Sequence, residues 1–115
     1  MVVEDLTRTE FDDGVKRLYF YRLIKNKINI TFNKDVISLQ SYGIEVERQD
    51  ILDNKLTDIC RNCVKDISPD RHKVHNLIRL LYDKRVSPIH LVDVIGGYVD
   101  KYIGDFDIQI KSMAY

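Results

Sequence analysis

Two cysteines three residues apart, Cys60 and Cys63, are followed by two histidines three residues apart, His72 and His75. Two thiolates and two imidazoles can close a tetrahedral zinc site, so these four residues form the candidate metal set and zinc the candidate cofactor. Histidines at this spacing share one side of a helix. The cysteines are less favourably spaced, because residues three apart on a strand point to opposite faces. A shared metal would need a knuckle at Arg61-Asn62, and the Cys-x2-Cys-x8-His-x2-His run departs from the usual finger spacing. The alternative is that both cysteines are small buried hydrophobes and both histidines are surface or cap residues of a helix. Nothing in the pattern places Cys60 at a helix N-terminus, where its thiol would be activated for redox work.

A second constellation lies in residues 15–34. It holds Lys16, Arg17, Arg22, Lys25, Lys27 and Lys34, no acidic residue among 15–34, and the aromatic side chains Tyr19, Phe20, Tyr21 and Phe32. Basic strands bearing exposed rings can neutralise phosphates and stack bases, which makes Lys16, Arg17, Tyr19, Tyr21 and Arg22 a candidate nucleic-acid-binding face. Equally, the rings could be core and the charges a solvated face, offset by Glu4, Asp5, Glu10, Asp12 and Asp13 on a neighbouring strand.

Catalytic signals are sparse. His90 and Asp93 are spaced to pair on a helix, but a His-Asp pair alone is commonly a surface contact, and no glycine-rich elbow marks a serine or cysteine nucleophile. A phosphate-cradling glycine loop is missing as well. The expectation is a protein without a catalytic residue.

These side chains need elements to position them. Asp12-Asp13-Gly14 is a turn signal that folds residues 2–11 back on residues 15–25 as a hairpin. Within 15–25, Leu18, Phe20 and Ile24 share one face and Tyr19, Tyr21 and Leu23 the other, as expected of a central strand. Ile28, Ile30 and Phe32 alternate as a third strand, closed by Asn33-Lys34-Asp35. Residues 36–48 alternate too, but the phase slips from odd (Ile37, Leu39) to even (Tyr42, Ile44, Val46) beside Gly43, which predicts a β-bulge. Residues 56–67 fit a helical face about as well as a strand. The turn at Asp53-Asn54-Lys55 and the Ser68-Pro69 pair that follows favour a strand.

Ser-Pro occurs twice, each time opening an apolar run at helical spacing. Ser68 and Ser87 read as N-caps, with Pro69 and Pro88 at the first helical position, where the missing N–H costs nothing. The predicted helices cover about residues 70–85, with Val74, Leu77, Ile78, Leu81 and Tyr82 on one stripe, and about 89–103, with Leu91, Val92, Ile95, Val99, Tyr102 and Ile103. Gly96-Gly97 within the second suggests close approach by another backbone, or else a weak point in the helix, with close packing the favoured reading, and Gly104 reads as its C-cap. Phe106, Ile108 and Ile110 alternate as a last strand or an ordered tail.

The whole is an α+β domain: an antiparallel sheet of four or five strands with two helices packed on one face, spanning residues 1–107, with 108–115 as a tail or extra strand. Hydrophobic residues at 44% and charged residues at 31% exclude a disordered chain. The 18 basic and 18 acidic side chains leave no net charge to draw the chain to nucleic acid or anionic lipid. With no basic-then-apolar leader, no membrane-length apolar run and only two cysteines, a cytoplasmic location is expected.

The run from His72-Lys73-Val74-His75-Asn76-Leu77 into Val86-Ser87-Pro88-Ile89-His90-Leu91-Val92-Asp93-Val94-Ile95, together with Ser41-Tyr42-Gly43-Ile44-Glu45-Val46-Glu47-Arg48 as central strand, resembles a family of short proteins of unknown function from spore-forming Gram-positive bacteria. The resemblance implies a bacterial cytoplasmic context and brings no activity, cofactor or site residue. Residues 27–35 and the tail after Asp107 look like extensions of it.

Association is the reading that remains. Seven tyrosines and no tryptophan suit an interface. The first helix carries Arg71, Lys73, Arg79, Lys84 and Arg85 while the second carries Asp93 and Asp100, and an unpaired sheet edge invites strand addition. A small cytoplasmic protein-interaction or regulatory module, forming a homodimer, is expected, with a nucleic-acid- or zinc-binding module as the alternative.

Overall fold

The computed structural model describes residues 1–114; Tyr115, one of the seven tyrosines, lies outside them. Four strands, β1 (Val2–Asp12), β2 (Val15–Phe32), β3 (Asp35–Leu52) and β4 (Lys55–Ser68), form one antiparallel meander in the order β1-β2-β3-β4. The three connections are two residues each, Asp13-Gly14, Asn33-Lys34 and Asp53-Asn54, and all six residues have positive φ between 48° and 81°. These are the dihedral signs of type I′ turns, whose twist matches that of the strands they join.

Helix α1 (Arg71–Asp83) lies across β2 and β3, and α2 (Leu91–Tyr102) lies over β4, reached through a 3-10 turn at Pro88–His90. A third helix, α3 (Gly104–Ala114), follows at once. The predicted α+β class, with a four-stranded antiparallel sheet and two helices on one face, is therefore what the chain adopts.

Cross-strand register explains the core. Tyr21 opposes Leu6 on β1 and Val46 on β3, and Leu23 opposes Ile44, which opposes Val64 on β4. Side chains alternate along a strand, so one parity faces the helices. Tyr19, Tyr21, Leu23, Ile44 and Val46 are buried there against Val74, Leu77, Ile78 and Leu81 of α1, Leu91 and Ile95 of α2, and Val86 between them.

Several local expectations are corrected. Residues 28–32 are no separate strand: β2 runs unbroken for 18 residues, paired throughout with an equally long β3. At about 3.3 Å per residue such a strand is about 59 Å long, which sets the 58 Å longest dimension. Beyond Lys25 and Tyr42 only β2 and β3 continue, as a two-stranded ribbon.

The phase slip at Gly43 is not a bulge in β3, since β2–β3 register is continuous. Instead the buried side changes. Leu39 belongs to the opposite parity from Ile44, and it lines a cavity with Pro69, Gln109 and Met113 beside α3. The irregularity sits on β4, where Tyr42 opposes Ser68 but Ile44 opposes Val64, so Gly43 alone on β3 faces three residues of β4, Lys65, Asp66 and Ile67. A Cβ at Gly43 would come 2.1 Å from the Lys65 carbonyl oxygen, so only glycine fits under the bulged backbone.

Helix caps also differ. The N-cap of α1 is Asp70, whose Oδ1 accepts from the His72 N–H at 2.9 Å, while Ser68 Oγ accepts from the Asp70 N–H one step earlier. At the other end the helix closes by a Schellman arrangement: Val86 N–H to Leu81 O and Arg85 N–H to Tyr82 O, with Arg85 left-handed at φ 54°. Gly96 and Gly97 have open space around them, not a packed backbone, and Gly104 starts α3 instead of ending α2.

Residues 106–110 are helical, not a strand. Phe106 and Ile110 fall four apart on an inward side, whereas Ile108 points out and is 69% exposed. Asp105 and Asp107 in the first turn favour the helix dipole, and Asp105 also anchors α3 through Lys73 Nζ (2.7 Å) and Ser68 Oγ (3.1 Å).

Candidate interaction surface

The structure does not bring the predicted metal set together. Cys60 opposes Arg48 on the helix-covered parity of β4, and Cys63 opposes Glu45 on the other face. His72 and His75 stack on each other at 6.4 Å on α1 and belong to the far edge of the sheet, where His75 Nδ1 bonds Glu4 of β1 and Arg71 Nε reaches the same carboxylate at 3.2 Å. Three strand spacings, about 14 Å, separate β1 from β4. Burial and the Glu45 carboxylate push the Cys63 thiol up, away from the thiolate a metal needs. Among the described residues no cluster of three or more His, Cys, Asp or Glu side chains is spaced for a metal ion.

The basic strand is divided between two faces. Tyr19 and Tyr21 are buried under the helices. Arg17 shares their parity and pairs with Asp12 (3.0 Å) and Asp50 (3.5 Å); Lys16 and Arg22 point the other way. Tyr21 is a structural hub: its hydroxyl donates to Val86 O at 2.8 Å and accepts from Arg8 Nε at 3.0 Å, while the Arg8 guanidinium lies 3.8 Å from the centre of the Tyr19 ring. Burial pushes the Tyr21 hydroxyl above its ordinary pKa despite Arg8, keeping it a donor.

The helix-free face of the sheet has a different character. Its side chains lie in cross-strand rows: Phe11, Lys16, Ile51 and Leu56; then Thr9, Leu18, Gln49 and Ile59; then Thr7, Phe20, Glu47 and Arg61; then Asp5, Arg22, Glu45 and Cys63. An antiparallel sheet with one solvated face ordinarily alternates apolar inward and polar outward. Here Leu18, Phe20 and Ile24 break the rule on β2, and Phe11, Leu56 and Ile59 are 76%, 53% and 46% exposed.

Beside these apolar rows sits an ion network. Arg22 reaches Glu45 (2.8 Å), Glu47 (3.5 Å) and Asp5 (3.9 Å), and Arg61 reaches Glu45 (3.6 Å) and Glu47. Glu47 is only 2% exposed although no helix covers it. Burial pushes its carboxyl up, but hydrogen bonds from Gln49 and Arg61 and the Arg22 charge outweigh that and hold its pKa below the ordinary value. The Arg22 guanidinium also lies 4.8 Å from the Phe20 ring centre. Sequence reasoning singled out Arg22 but not Glu45, Glu47 or Arg61. The outward Leu18, Phe20 and Ile24 were the visible signal, read there as the mark of a central strand.

The chain belongs to a family of unknown function (DUF6514), whose sequence model matches residues 1–101. The matched span includes the β2–β3 ribbon and stops before α3, all of which lies beyond it. No curated protein and no solved structure matches the chain. Among the described residues no helix is long and apolar enough to cross a membrane.

Proposed function

We propose that this chain is a small protein-interaction module of the bacterial cytoplasm, without catalytic activity, that docks through the helix-free face of its sheet. One observation carries the reading: the exposed side chains of Phe11, Leu56 and Ile59 gather with Leu18 and Phe20 on a single sheet face. Contiguous apolar surface of this kind is a feature of docking faces. The nucleic-acid alternative draws less support, because Arg17 and Arg22 are already engaged by carboxylates and the Tyr19 and Tyr21 rings are buried.

The test is photo-crosslinking in the producing cell with benzoylphenylalanine in place of Phe11 or Phe20, and in place of Tyr98 on α2 as a control surface. Protein adducts at positions 11 and 20 but not at 98 are expected. Their absence at both would overturn the reading.

A further inference from the structure

We infer that the occupant of the helix-free face is a second copy of this chain, apposed sheet to sheet; the inference rests on the docking role proposed above. Charge argues for it first. The four rows carry three cations, Lys16, Arg22 and Arg61, and three anions, Asp5, Glu45 and Glu47. All but Lys16 of these are joined in one network within the chain. A partner with a strong charge of either sign would find no counter-charge here. An identical face needs none, because every charge except Lys16 enters the contact with a partner of its own, avoiding the cost of an unpaired buried ion.

Area argues for it second. The ten residues of β2 that lie within the four-stranded part, at about 3.3 Å each, and four strands about 4.8 Å apart give a face of about 33 by 19 Å, or about 600 Å². That falls at the lower end of the range for specific, stable interfaces, about 600–1,000 Å² per partner. Two such faces pack about 10 Å apart, with the apolar rows of Phe11, Leu18, Ile51, Leu56 and Ile59 supplying the dry part.

Sedimentation velocity of the purified protein from about 1 to about 100 μM tests this, since a dimer's population follows protomer concentration. A dimer is expected for the wild type. The double variant Leu18→Lys, Ile59→Lys, which places like charges on the contact, is expected to sediment at half the mass with an unchanged far-UV circular dichroism spectrum. Val92→Lys, on the exposed outer side of α2, is expected to stay dimeric. A monomeric wild type at the highest concentration, or a dimer indifferent to the double variant, would overturn the inference.

Should the double variant misfold, benzoylphenylalanine at position 11 in the purified wild-type background decides instead: an adduct of twice the chain mass supports self-association, and none refutes it. Adducts with other proteins in the cell alongside a monomeric purified chain would sink the second copy and leave the docking role standing; no adduct anywhere would sink both.

Discussion

The Tyr21 hydroxyl on the central strand donates to the Val86 carbonyl oxygen at 2.8 Å, 65 residues away, at the point where α1 has closed and the chain turns toward α2. This bond is buried, and the Tyr82 ring stands edge-on to Tyr21 at 5.9 Å. Tyr21→Phe leaves the Val86 carbonyl without its donor and Arg8 Nε without its acceptor. A loss of about 1–2 kcal/mol is expected by urea denaturation, with the slope unchanged.

Two glycines give opposite outcomes. Gly43→Ala drives a methyl into the Lys65 backbone and is expected to cost about 3 kcal/mol or more, since main chain must move. Gly96→Ala on the open side of α2 meets nothing and is expected to stabilise by up to about 1 kcal/mol through helix propensity. Thermal melts of the two variants check both signs.

Arg85 occupies a left-handed position that glycine adopts without steric cost. Its carbonyl accepts from Arg8 through the main chain, so Arg85→Gly keeps that bond. A gain of about 1 kcal/mol is expected in chemical denaturation, the relief of a left-handed non-glycine residue.

Glu4 and Glu47 govern the acid limb. Burial pushes both carboxyls up, but the bonds from His75 and Arg71 to Glu4, and from Gln49, Arg61 and Arg22 to Glu47, prevail and leave both below the ordinary value of 4.5. As pH falls past that value the unfolded chain takes up protons first, so the stability these groups contribute is present in full above it and is lost as pH drops toward the depressed native values. Urea midpoints are expected to hold from pH 7 down to the region of the ordinary value of 4.5 and to fall below it, and Glu47→Gln is expected to flatten the fall.

How much of this was legible in sequence follows from the range of the forces involved. The turns at Asp13-Gly14 and Asp53-Asn54, and the helical stripe of Val74, Leu77, Ile78 and Leu81, are local and could be read directly. The Asn33-Lys34 turn was visible, but the length of β2 was not, since Lys25 to Lys27 interrupts its apolar pattern and only pairing with Gln40 to Tyr42 shows the strand continuing. Alternation at Phe106, Ile108 and Ile110 misled because three apolar residues two apart fit a strand, whereas spacing of four, which joins only Phe106 and Ile110, is what α3 uses. The separation of Cys60 and Cys63 from His72 and His75 depends on which sheet edge each helix crosses, and no local pattern encodes it. The helix-free face required the register of all four strands, although its outward Leu18 and Phe20 were in plain view.

The meander has a temporal meaning. Each strand pairs with its predecessor through a two-residue loop, so pairing can proceed from the N-terminus as the chain leaves the ribosome, at little cost in loop entropy. The cover arrives last: Leu77, Ile78 and Leu81 follow every strand, and Val86, Leu91 and Ile95 come later still. Until α1 and α2 are added, a sheet formed on its own would leave Tyr21, Leu23, Ile44 and Val46 uncovered on one side and Phe20 on the other, so the helices resolve which of its two greasy sides becomes the inside.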